Sequence, residues 1–254
     1  MNSEPAKMRT FDEALAAVAQ VEGWMSPDQA RRLYDAAAST VPGDVVVEIG
    51  SFRGRSTIVL ASAAADGVRI VAIDPHAGND RGPEEIDGYA AEAADDHSVF
   101  NANLAAACVA HRVQHVRAFS NGAHGAVDQA ISVLYVDGAH RYAPARADIR
   151  DWGARMRPGG TLLIHDSFSS VGVTLAIARE LMFGTRFRYV GRARSLAEYR
   201  ADLPSGLGAR LGNAGRQVLQ LLWFAKNVCL KVLLKFGGGR ILRAVTGREP
   251  EWPY

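Results

Sequence analysis

The chain has 254 residues, 48% apolar and 22% charged, with a formal net charge of +2 at pH 7. That length can bury a full core and is most simply one large domain, in the composition range of a soluble globular protein. So small a net charge gives no electrostatic case for a nucleic-acid partner.

A polar start, MNSEPAKMRT, has no apolar signal region. Residues 1–40 read as a helical segment, Phe11 to Val21 and then Pro27 to Ser39 after a Ser26-Pro27 helix start. From 41 to 204, apolar runs alternate with helical patterns. The expected strands are Asp44–Ile49, Arg69–Ile73, Val113–Phe119, Ser132–Val136 and Thr161–Ile164. Between them come helices at about Arg55–Ala65, Asp95–Ala110 and Pro144–Met156, then Gly172–Phe183. Arg157-Pro158-Gly159-Gly160 reads as a turn, and the runs Arg186–Val190 and Ser195–Tyr199 as a closing hairpin. Such β-α repetition predicts a doubly wound, mostly parallel seven-stranded α/β sheet with a terminal antiparallel hairpin and added terminal helices. Cys108 and Cys229 lie far apart without CxxC spacing and read as buried small hydrophobes rather than a disulfide or metal pair.

Ligands in such sheets bind beyond the carboxyl ends of the strands. Four of the expected strands end there in an acid: Glu48, Asp74, Asp137 and Asp166. Each could simply cap the loop that follows, but four on one rim point to a site. The first turn reads Gly50-Ser51-Phe52-Arg53-Gly54. Phe52 fills the place where a dinucleotide fingerprint needs glycine, and no GK[ST] follows, so a pyrophosphate fits poorly. Glu48 suits a cationic ligand group by charge complementarity, and Asp74 can accept from both hydroxyls of a ribose. S-adenosylmethionine combines an amino group, a sulfonium and a ribose diol without a phosphate.

The ordered set EIGSFRGRS, VAIDP, LYVDGAH and PGGTLLIHDS resembles the class I S-adenosylmethionine-dependent methyltransferases over roughly Trp24 to Tyr199. The resemblance implies that Glu48, Gly50 and Gly54 lie by the methionine part, Asp74 by the ribose and Ser120 by the adenine. It places Asp137 near the sulfonium and the acceptor. Ser51 and Ser56 are polar contact candidates, with helix capping as the alternative.

Asp137 and Asp166 fall on neighbouring strand ends and can converge on a hard cation such as Mg²⁺. This pattern resembles the metal-assisted small-molecule O-methyltransferases, which implies metal ligation by Asp137, Asp166 and Ser167. His140, three residues after Asp137, resembles the base of the sugar O-methyltransferases and has a suitable ordinary pKa. His165 reads equally as a core histidine or a functional one. His76 is a candidate contact to cofactor or acceptor, and His97 reads as a surface residue. The expected activity is O-methylation of a sugar or glycan hydroxyl by Asp137 and His140. A mannoside or other bacterial glycan falls within that acceptor class, and the Ala- and Arg-rich composition points to a GC-rich bacterial genome. An aromatic or polyketide hydroxyl is the runner-up. An NAD-type oxidoreductase or a non-catalytic binding protein are the rivals of other classes.

Two segments stay open. The loop from Ala77 to Asp96 is acidic, with Asp80, Glu84, Glu85, Asp87 and Glu92, and reads as an acceptor-side lid or an ordinary mobile loop. The extension 205–254 has no acid before Glu249, while Arg210, Arg216, Lys226, Lys231, Lys235, Arg240 and Arg243 alternate with apolar residues such as Phe236. It reads as peripheral on an anionic membrane through 205–246, or as packed on the domain or a second subunit. A homo-oligomer is expected. No clean apolar run of about 18 residues is seen, so a membrane span is not expected and the cytoplasm is the default location, with membrane association if the extension lies on lipid.

Overall fold

The computed structural model describes residues 8–77 and 90–235. Asp80, Glu84, Glu85 and Asp87 of the acidic loop, and Phe236, Arg240 and Arg243 of the extension, lie outside the described residues.

Two short helices open the chain, α1 (Phe11–Ala17) and α2 (Pro27–Ala38). Each begins with a reciprocal capping box, Thr10 with Glu13 and Ser26 with Gln29, and Pro27 occupies the first turn of α2. Then come β1 (Val45–Ile49), α3 (Arg55–Ala63), β2 (Arg69–Ile73), α4 (Ala90–Ala106), β3 (Val113–Val116) and β4 (Ile131–Val136). The second half holds α5 (Tyr142–Ala147), β5 (Met156–Ile164), α6 (Val171–Ile177), β6 (Arg188–Ala193) and β7 (Leu196–Arg200). The seven strands form one sheet in the order β3-β2-β1-β4-β5-β7-β6, parallel except where β7 pairs with β5 and β6.

Every residue of β1 and β4 is buried, as expected of central strands covered on both faces. Val45, Val47 and Ile49 face one core with Leu134, Trp152 and Ile177. Val46, on the opposite face, packs with Val18, Leu33, Ile58 and Phe100, so the N-terminal helices share the core of the sheet.

Three local expectations differ from the structure. Arg157-Pro158-Gly159-Gly160 is an irregular part of β5, not a turn before it. The register with β4 shifts there, and Gly159 and Gly160 are held by Ala201, just after the neighbouring β7. The stretch Ala90–Asp96, expected within the loop, is the first part of α4. Both cysteines are exposed and free, because Cys108 sits in a left-handed turn after α4 and Cys229 on an outward helix face.

The extension forms α7 (Leu207–Val218) and α8 (Gln220–Lys235). Asn213 accepts from the Tyr189 N–H at 2.7 Å and donates to the Phe187 carbonyl at 3.0 Å. Leu221, Trp223 and Phe224 pack against the main core, and Arg192 lies 3.8 Å over the Trp223 ring. The stretch Leu207–Leu234 is long and apolar enough, by length and composition, to cross a membrane, whereas no span was expected from the sequence. Four of its polar and charged residues, Asn213, Gln217, Asn227 and Lys231, bond to the domain.

Candidate active site

A cavity of about 870 Å³ runs along the carboxyl ends of β1, β2, β4 and β5. One end is made by the β1–α3 turn. Gly50 has φ +86°, and a Cβ there would lie 2.3 Å from the Asp137 carbonyl oxygen, so no side chain fits. Gly54, at φ +88°, starts α3 without a side-chain cap. Between them Phe52 is also left-handed, at φ +45°, and its ring lies 5.6 Å from that of Trp24 at the cavity wall.

Asp74, at the end of β2, clamps this turn. Its Oδ2 accepts the N–H groups of Ser51 at 2.9 Å and Phe52 at 2.8 Å, and its Oδ1 accepts that of His76 at 2.7 Å. A carboxylate offers about four lone-pair sites, so three backbone bonds leave capacity for one hydroxyl at the wall. The expected bidentate hold on a diol is reduced to a single acceptor site. Ser51 lines the cavity, and its buried hydroxyl has no partner among the described residues.

Glu48 is placed differently from its expected role. It is fully buried behind the wall and accepts from the Ser56 and Thr57 hydroxyls at the start of α3. Burial pushes its carboxyl up to about 8, against the pull of those two hydroxyls, so at pH 7 it is mostly protonated. Direct charge pairing with a cationic ligand is therefore not what this geometry offers; Glu48 ties α3 to β1. Ser56 reaches the cavity wall with its hydroxyl already given to Glu48.

Ser120, in the single turn after β3, lines the cavity and donates to Asp148. Burial raises the Asp148 carboxyl to about 6, opposed by that hydrogen bond. Asp148 begins a five-residue π-helical continuation of α5, which turns it back toward the site.

The other end of the cavity is built from titratable side chains. Asp137 follows β4 and accepts from the buried Tyr135 hydroxyl at 2.7 Å. His140 Nε2 lies 2.6 Å from Asp166 Oδ2. His165 is buried between the two acids, its Nδ1 3.1 Å from Asp137 and 3.2 Å from Asp166. Its Nε2 is 3.3 Å from Gln29 of α2, which donates to Ser195 at 3.1 Å. Burial opposes charge on His165, but Asp137 and Asp166 together draw its pKa well upward. Burial likewise opposes charge on Asp166, and His165 and His140 hold it well below the ordinary carboxylate range. Asp166 has φ +53°, a left-handed conformation that Asp tolerates better than most residues and that turns its carboxylate back over β4.

Asp137, His140 and Asp166 each offer one ligand atom, all within 4.8 Å of one another, so they form a candidate metal group. Ser167, expected as a further ligand, is directed elsewhere. Its side chain is buried and its hydroxyl donates to the Ile164 carbonyl at 2.8 Å, inside its own strand end. Two carboxylates suit Mg²⁺, which keeps several waters, whereas including the imidazole shifts the preference toward a softer divalent ion.

Several contributors escape a linear reading. Val228, Lys231 and Val232 bring α8 to the cavity wall, although residues so far beyond the sheet carry no motif. Lys231 Nζ donates to the Ser169 carbonyl and hydroxyl, both at 3.1 Å, and burial lowers its pKa. Gly172 lets α6 approach the loop of His140, where a Cβ would lie 2.2 Å from the His140 carbonyl oxygen. His97, expected at the surface, packs with His76 and His115 at ring separations of 5.0 to 5.2 Å. Burial lowers both His76 and His115, the latter to about 4, so these rings are neutral at pH 7.

Residues 47–167 match a family model described as a methyltransferase domain. The fold is similar to that of the O-methyltransferase NovP, at 15% identity and TM-score 0.57 over 70% of this chain and 81% of that one. It is similar to a Corynebacterium glutamicum protein at 14% identity and TM-score 0.56, over 78% and 91% of the two chains. A cofactor-bound protein from MTB is 19% identical with TM-score 0.52, over 75% of this chain and 88% of that one.

Proposed function

We propose that the chain is a class I S-adenosylmethionine-dependent methyltransferase, a reading supported by the methyltransferase-domain match over residues 47–167, and that it methylates a hydroxyl oxygen with His140 as the base. The observation that carries this reading is the pairing of His140 with Asp166 inside the same cavity as the glycine turn. A carboxylate that holds one imidazole nitrogen protonated keeps the other basic and orients the ring, the logic of an Asp–His pair. Asp137, beside it, faces the space between the two ends of the cavity.

The residues present fit S-adenosylmethionine. The wall at Gly50 excludes a Cβ, the Ser51 hydroxyl is buried without a partner, and Asp74 retains one acceptor site. When bound, the cofactor supplies an electrophilic methyl group. The protein's part is to align the acceptor oxygen with it, to exclude water and to take the proton at His140. If a divalent ion such as Mg²⁺ takes part, Asp137 and Asp166 would hold it and it would lower the pKa of the acceptor hydroxyl.

A sugar or glycan hydroxyl, a mannoside among them, remains the acceptor we favour, from the Asp-x-x-His spacing of Asp137 and His140. Aromatic side chains at the wall, Trp24, Phe52 and the exposed Phe119, favour an aromatic or polyketide hydroxyl as the second reading. Methyl transfer from labelled S-adenosylmethionine to a panel of glycosides and phenols, with and without EDTA, tests acceptor class and metal need together. Transfer to a glycoside that EDTA abolishes is the expected result. Transfer to phenols alone overturns the sugar reading, and full activity in EDTA removes the metal. Binding of NAD in place of S-adenosylhomocysteine would overturn methyl transfer altogether.

A further inference from the structure

The two C-terminal helices each turn a polar stripe inward and leave an apolar one outside, although Leu221, Trp223 and Phe224 of α8 also pack on the core. The stripe that α7 turns inward carries Asn213 and Gln217, both fully buried and hydrogen-bonded to the sheet hairpin. Leu207, Leu211 and Val218, spaced four and seven apart and so on one side of the helix, are exposed. α8 repeats the arrangement. It buries Asn227 and half-buries Lys231, each donating to the loop after β5, while Leu222, Cys229 and Leu233 share one outward face with Lys226. Leu222 is 74% exposed and Leu207 70%. Helices that only had to cover a domain in water would show the opposite polarity.

The charge around this apolar face selects its occupant. Arg210, Arg216 and Lys226 are exposed on these two helices, and the sequence from 205 to 246 contains no acid. A two-fold contact with a second copy would set these cations against themselves. An apolar face fringed by cations alone complements an anionic lipid surface. The helices do not span it, since Asn227 and Lys231 fasten the inner side of α8 to the domain.

α8 also connects this face to the chemistry. Its outer side carries Leu222 and Leu233, and its inner side brings Val228 and Lys231 to the cavity. We propose that α7 and α8 are an interfacial element that seats the cavity rim on an anionic membrane, so that the methyl acceptor is the hydroxyl-bearing head of an amphiphile. The lipid contact stands on this surface alone; the acceptor class rests on the methyl-transfer reading above.

The test uses the full chain with vesicles of phosphatidylcholine, alone or with one quarter phosphatidylglycerol. Co-sedimentation with the anionic vesicles that weakens in high salt is expected, with roughly a 100-fold loss of partition in a Leu211→Asp/Leu222→Asp variant. The variant's melting and S-adenosylhomocysteine binding should match wild type, because both leucines lie in solvent. A polarity-sensitive dye on Cys229, in a Cys108→Ser background, should shift to the blue when anionic vesicles are added. Absence of sedimentation, sedimentation unchanged in the double variant, or an unmoved dye each overturns the proposal. So does a stable dimer in sedimentation velocity that the double variant dissolves, which would assign the face to a second copy. Failure to bind S-adenosylhomocysteine with vesicle binding intact would instead overturn the methyl-transfer reading and leave the lipid contact standing.

Discussion

The two ends of the cavity hold their shape by different means. At the β1–α3 end, backbone does the work: two left-handed glycines, a left-handed Phe52 and three N–H groups gathered by Asp74. At the β4–β5 end, the backbone only delivers Asp137, His140, His165 and Asp166, and their mutual ion pairing sets the geometry. The first end is rigid and tolerates no added atom. The second is an electrostatic assembly whose members depend on each other's protonation. Binding should therefore fail through the first end and chemistry through the second.

The largest expected effect breaks the first end outright. Gly50→Ala puts a Cβ 2.3 Å from the Asp137 carbonyl oxygen at a φ that penalises any side chain. It should abolish S-adenosylhomocysteine binding in calorimetry and cost ~3 kcal/mol or more in urea unfolding. Next, His140→Ala should lower methyl transfer by ~10²- to 10⁴-fold while S-adenosylhomocysteine affinity stays within about twofold of wild type, as a base acting only on the acceptor requires. If affinity fell as steeply as rate, the division between the two ends would be gone. Asp74→Asn should be milder. The side chain keeps its size but presents an NH2 group in place of one of the two oxygens on which three backbone donors converge, which predicts about tenfold weaker cofactor binding with little change in kcat.

The smallest effect at pH 7 belongs to Glu48→Gln, because a mostly protonated carboxyl resembles an amide; turnover should change by less than about twofold. Its stability, however, should diverge from wild type with pH. Glu48 holds its proton up to about pH 8 in the fold against 4.5 for a free side chain. Across that window the native state binds more protons than the unfolded one, so wild type loses stability as pH rises. The glutamine variant lacks this slope, and urea unfolding at pH 5 and pH 8 should show the difference moving in its favour by at least ~1 kcal/mol. A wild type that gained stability from this site on the same pH rise would reverse the assignment of Glu48.

The legibility of the two ends differed as their construction does. Glycines at 50 and 54, and the acids that close β1, β2, β4 and β5, are forced by backbone geometry, so the linear order of residues already carries them. The seven strands and the closing antiparallel hairpin followed from the alternation of apolar runs, whereas the strand order did not. Side-chain direction did not. Glu48 and Asp74 both end central strands, yet one faces the helix layer behind the wall and the other the turn beside the cavity. Ser167 follows Asp166 directly but points into its own strand end. The contributions of Gln29, Asp148 and Lys231 come from helices distant in sequence, whose approach depends on tertiary packing. Arg157 to Gly160 carried every local mark of a turn and was overridden by pairing with Ala201, at the end of the neighbouring β7.

The contact of Gly50 with the Asp137 backbone joins the two ends through a single van der Waals layer. A kinetic experiment cannot then treat them as separate dials. A substitution that shifts the β4 terminus, aimed at the acceptor, will also reshape the floor beneath the cofactor, and its signature will be a rise in cofactor KM that accompanies the fall in kcat. Changes in acceptor preference are therefore more accessible from α8, Trp24 and Phe119, which lie outside the β1–α3 turn, than from the acids at the β4–β5 end.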